Sequence, residues 1–72
     1  MRPGAIVNIS DYKSDLHCRD GQVIEVAEEQ VVVMFLVLNK KNGVNCIIER
    51  FKMSQVYEMK NIKELRLIGG YK

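Results

Sequence analysis

The chain has 72 residues, 47% of them hydrophobic, with one proline and a formal net charge of +2. That length makes one domain, residues 1–72. A chain of about 60 residues buries only roughly 60% of its unfolded surface, so self-association or a partner is expected to help. The composition excludes a disordered chain, no stretch approaches the ~20 apolar residues of a membrane span, and Cys18 and Cys46 are too few for a disulfide scaffold.

Met1-Arg2-Pro3-Gly4 lacks the apolar core of a signal peptide, so the chain is expected in the cytoplasm with its cysteines reduced. Ala5 to Ser10 reads as a first strand. Asp11 to Asp20 is polar and without period, a long loop with Leu16 and Cys18 dipping inward. Asp20-Gly21 reads as a turn, and Gln22 to Val26 as a second strand. Glu28-Glu29-Gln30 is a short polar connection, which makes the second and third strands an antiparallel hairpin.

The third strand is the centre of the pattern. Val31-Val32-Val33-Met34-Phe35-Leu36-Val37-Leu38 is an unbroken apolar run rich in β-branched residues. Alternate side chains point to opposite faces, so Val31, Val33, Phe35 and Val37 share one face and Val32, Met34, Leu36 and Leu38 the other. Both faces then expect cover. Asn39-Lys40-Lys41-Asn42-Gly43 is a hairpin turn, Val44 to Phe51 a fourth strand, Lys52 to Gln55 one helical turn, and Val56 to Met59 a short fifth strand. The tail from Asn61 to Ile68 fits a helix or a strand equally, and Gly69-Gly70 ends it.

This order of elements predicts an all-β chain: a five-stranded small barrel over residues 4–59, a helical turn before its last strand, and a tail over 60–72. It resembles the SH3-like barrels. Gly21-Gln22-Val23-Ile24-Glu25-Val26 is similar to the Gly-x-Val-x-x-Val of the KOW group of transcription elongation factors and ribosomal proteins. A longer resemblance is to the photosystem I reaction-centre subunit IV family. It is carried by Gly4, Val7, Ile9, Gly21-x-Val23, Val31-Val32-Val33-x-Phe35, Gly43-x-Asn45, Phe51 and Val56. These are glycines and core positions, so they imply a fold and little about function. Where that family carries a basic residue that serves acidic ferredoxin, this chain has Met34.

Chemistry-bearing clusters are sparse. His17-Cys18 with Cys46 lacks paired Cys-x-x-Cys spacing and a second histidine, so no metal and no cofactor is expected. Asp11, Asp15, Asp20, Glu28 and Glu29 read as loop charges and backbone caps. No phosphate-cradling glycine loop and no Gly-x-Ser-x-Gly elbow occurs, so the expectation is not an enzyme. Ser54-Gln55-Val56-Tyr57 faintly resembles the pore segment of type II dihydrofolate reductase, but it falls at a different point in the strand order.

Charge is uneven. Residues 1–38 carry three basic against six acidic side chains, net −3, and residues 39–72 carry eight against three, net +5, which together give +2. The outer row of the central strand, Met34, Leu36 and Leu38, reads as an apolar patch. Lys40, Lys41, Arg50 and Lys52 read as a basic rim that would orient an acidic protein partner. Ile62, Leu65 and Leu67 of the tail, or a second subunit, are the other candidates to cover the patch. The alternative is nucleic-acid binding in transcription or translation, with Lys40, Lys41, Arg50 and Lys52 as cations and Tyr12 and Tyr57 as stacking platforms. Lys60, Lys63 and Arg66 on the tail would extend that basic set.

Overall fold

The computed structural model of the chain describes residues 1–41 and 43–69. Asn42 of the expected turn and residues 70–72 of the tail lie outside them. The apolar run becomes strand β3, Gln30–Asn39. Its odd residues Val31, Val33, Phe35 and Val37 are buried, while Val32, Met34 and Leu36 are half-buried and Leu38 is exposed. The expected split of the two faces is therefore observed.

Around it lie β1, Ile6–Ile9, β2, Asp20–Val26, β4, Gly43–Lys52, and β5, Val56–Glu58. The strand order is β4-β3-β2-β1-β5, each neighbouring pair antiparallel. A 3-10 turn, Met53–Gln55, separates β4 from β5, as the sequence predicts. Gln55 Oε1 accepts the Lys52 backbone N–H at 3.0 Å, and Met53 N–H donates to the Glu29 carbonyl at 2.9 Å. These bonds satisfy the orphan groups of so short a turn. The result is a small, all-β, barrel-like fold. Its core is built from β1, β2 and β3 and closed by Phe51 and Val56 from the two ends of the strand order. Phe35 meets Phe51 edge to face at 6.0 Å between ring centres, a favoured aromatic geometry.

Two expectations are corrected. Asp20 and Gly21 are no turn; both lie in β2, and Gly21 pairs with Val7. A Cβ on Gly21 would stand 2.3 Å from Val33 Cγ1, so the glycine is required by a close strand approach, not by a bend. In the long loop Leu16 does point inward, but Cys18 is exposed and sits at φ 65°. There its N–H donates to the Ile9 carbonyl at 2.8 Å and its carbonyl accepts Asn8 Nδ2 at 3.1 Å. The tail, open between helix and strand on sequence, forms a strand, β6, Leu67–Ile68, paired parallel with Leu36 and Val37 of β3. Ile68 enters the core, whereas Leu67 stays exposed. The tail thus extends the sheet sideways and adds to the outer apolar face instead of covering it. Tyr57 is exposed on β5.

Candidate functional site

The β3–β4 ladder is continuous over ten registered pairs, from Gln30–Lys52 to Asn39–Gly43. Directly opposed residues in an antiparallel pair share a face. Met34 therefore stands beside Ile48, Leu36 beside Cys46, Leu38 beside Val44, and Val32 beside Arg50. All lie on the face away from the core. Along the edge of β3 away from β4, Leu67 joins Leu36 through β6. Further along the same edge, the β2–β3 register shifts between Val23 and Glu25, and the bulged Ile24 is exposed beside Val32.

The outer face is thus broader than the patch expected from the central strand alone. Val44 is 58% and Ile48 59% exposed, more than Leu38 at 42%, while Met34 and Leu36 are half-buried between them. Val44, Ile48, Ile24 and Leu67 are the residues that reading β3 by itself misses. The signal was present in the alternation Val44-x-Cys46-x-Ile48, which has the same period as β3. Leu67 carried no such signal, because its pairing with Leu36 is a long-range contact.

The four cations sit at the two ends of this face. Lys40 and Lys41 are exposed at the hairpin tip, where Lys41 N–H donates to Asn39 Oδ1 at 2.9 Å. Arg50 and Lys52, both exposed, lie at the far end of β4. From Val44 to Arg50 is about 20 Å at the ~3.4 Å rise of a strand. The apolar stretch is therefore flanked by positive charge, not ringed by it. At the Arg50 end of the same strand, Glu49, Arg50 and Phe51 border a shallow depression with Asp11, Lys13 and Asp15 of the long loop.

The remaining candidates fall elsewhere. Tyr12 is 90% exposed and tilts against His17, with ring centres 4.6 Å apart. Tyr57 projects from β5 opposite Asn8. β5 pairs with β1 and is not hydrogen-bonded to β4, so Tyr57 is not part of the β3–β4 ladder. His17 Nδ1 accepts the Asp11 backbone N–H at 3.0 Å, which pins the long loop. No cluster of three or more His, Cys, Asp or Glu side chains suited to a metal ion occurs among the described residues. Nor is any helix among them long and apolar enough to cross a membrane. Arg66, one of the basic tail residues, is engaged by Asp20, whose Oδ2 accepts its Nε at 2.9 Å and its Nη2 at 2.5 Å.

Compared with known proteins, the chain matches no family model, and a search of the curated proteins finds no match.

Proposed function

We propose that the chain is a non-enzymatic protein-docking module, an accessory or regulatory subunit of the SH3-like barrel type that works in the cytoplasm. The observation that carries this reading is the outer face of β3 and β4, where Met34, Leu36, Leu38, Val44 and Ile48 form one apolar surface. A soluble chain rarely leaves so contiguous an apolar surface open unless something binds there, and methionine suits adaptable contacts. Burial of this surface would supply affinity. Lys40, Lys41, Arg50 and Lys52 at its ends would orient an acidic partner and speed encounter. The strand order and the 3-10 turn before β5 support the SH3-like assignment. Gly21, held inside β2 by packing, suits the KOW-like motif as well as any barrel. The KOW-like, nucleic-acid reading is less well supported, because Tyr12, in the long loop, and Tyr57, on β5, are not interleaved with the cations along β4 and its hairpin tip.

The test is affinity capture from the native lysate with the tagged wild type and with Ile48→Glu, each with and without nuclease, washed at low and high salt. Ile48 is well exposed, so the variant keeps its fold, as its circular dichroism would verify. A discrete protein retained by wild type through nuclease and salt, and lost with Ile48→Glu, supports docking through this face. Loss of the bound material under nuclease and high salt, with Ile48→Glu behaving as wild type, points instead to nucleic acid, whose binding weakens as counterions are released.

A further inference from the structure

The proposed docking face has an open side. β4 pairs with β3 and ends the strand order, so its second edge has no strand beside it among the described residues. Free edges are normally blunted by proline, a bulge, or charge spread along the strand. β4 has no proline, and its register against β3 runs without a shift. Its central stretch, Val44-Asn45-Cys46-Ile47-Ile48, is uncharged. Backbone N–H and C=O groups along such an edge are a template for one more strand.

Charge decides what that strand is. A second copy of β4, laid antiparallel, would bring Lys40 and Lys41 of each chain toward Arg50 and Lys52 of the other. Laid parallel, it would set each cluster against itself. Like charges on adjacent strands oppose pairing, so self-association is disfavoured in both directions. Resting on the docking function above, we infer that the β4 edge accepts an extended, acidic-ended segment of another protein as an added strand. Its outward side chains would be apolar opposite Val44, Cys46 and Ile48 and carboxylates at both ends, facing Lys40, Lys41, Arg50 and Lys52. On the inward side a cation would suit Glu49, which also borders Asp11 and Asp15.

The probe is the synthetic peptide Glu-Lys-Val-Thr-Ile-Thr-Val-Thr-Glu, titrated into the intact chain and followed by fluorescence anisotropy and amide hydrogen exchange. Alternate amides of a strand point to the same edge, so two further peptides carry N-methyl groups on the Val and Ile residues or on the Thr residues. Strand addition predicts that the parent binds and slows exchange of alternate amides between 44 and 50. It also predicts that one N-methylated peptide loses about tenfold or more in affinity while the other binds as the parent. Arg50→Glu with Lys52→Glu weakens the parent by a similar factor. If both N-methylated peptides bind like the parent, the contact is through side chains on the open face alone; the inference is overturned and the docking function stands. If the parent does not bind, the edge is not a strand acceptor of this chemistry. Capture that is insensitive to Ile48→Glu would separately remove the docking function.

Discussion

Gly21 is where the smallest change should do most damage. It is buried in β2 opposite Val7, and an added Cβ would stand 2.3 Å from Val33 Cγ1 and 2.7 Å from Phe35 Cε2. Carbon pairs rest at about 3.5–4.0 Å, so Gly21→Ala requires β3 or the Phe35 ring to retreat by about 1 Å or more. Neither has space: Val33 and Phe35 are both 0% exposed, and Phe35 is wedged against Phe51. Overpacking of this kind costs about 1–3 kcal/mol. Gly21 is not among the residues at positive φ, so alanine fits the backbone and returns about 0.4–1 kcal/mol by restricting the unfolded chain. The net loss is then about 1–2 kcal/mol against a total of roughly 4–11 kcal/mol for a chain of this size. At about 4–8 °C per kcal/mol the Tm falls by roughly 5–15 °C. Thermal melts followed by circular dichroism, with urea unfolding to verify an unchanged m-value, measure this directly. A Tm within about 2 °C of wild type would refute the reasoning, because the close approach of β2 and β3 would then not depend on the missing side chain.

Gly43 offers the opposite case. It sits at φ 72° with open space around its Cβ position, so Gly43→Val should cost about 1–2 kcal/mol from backbone strain alone, and Gly43→Asn clearly less, read as urea midpoints. The Asp20–Arg66 contact joins an 11% exposed carboxylate to a 66% exposed guanidinium. Arg66→Ala should therefore cost under about 1 kcal/mol. Asp20→Ala should cost more, about 1.5–3 kcal/mol, since Asp20 Oδ1 also accepts Asn8 Nδ2 at 3.0 Å; chemical denaturation of both variants separates the two. In β6, Ile68→Ala should lower stability by about 2 kcal/mol or more, while the neighbouring Leu67→Ser leaves the melt within about 0.5 kcal/mol of wild type and acts only on partner capture.

Much of this fold could be read from the sequence because β3 is unambiguous. Eight apolar residues in an alternating environment locate one core face and one outer face, and Gly43 with its polar neighbours sets the return into β4. What failed was local chemistry judged without its neighbours. Asp-Gly is a turn signal on average, yet at residues 20 and 21 the glycine answers to Val33 and Phe35, which are far away in sequence. Cys18 looked like a small inward residue, but its left-handed backbone turns the chain so that its N–H reaches Ile9 and its side chain faces solvent. The tail was ambiguous because Leu67 and Ile68 have too short a pattern to show a period; pairing with Leu36 and Val37 decides it. The site was half legible for the same reason. Met34, Leu36 and Leu38 stand out in one run, whereas the part played by Val44, Ile48 and Leu67 depends on which strands lie beside β3.

The outer face is more apolar than the fold requires. Strand preference is satisfied by β-branched shape, and threonine at positions 44 and 48 would hold β4 as well as Val44 and Ile48 do. Those two side chains are mostly exposed, so they add little to the core that Val33, Phe35 and Phe51 provide. Nor does the surface around them neutralise the hazard, since the charges of β4 are gathered at Glu49, Arg50 and Lys52 and its centre is bare. An uncharged edge strand beside an apolar face is what promotes indiscriminate association. The cations at both ends of the face oppose its commonest form, pairing with another copy. They leave the same edge open to a strand of opposite charge, so selectivity here comes as much from what the basic ends repel as from what they attract.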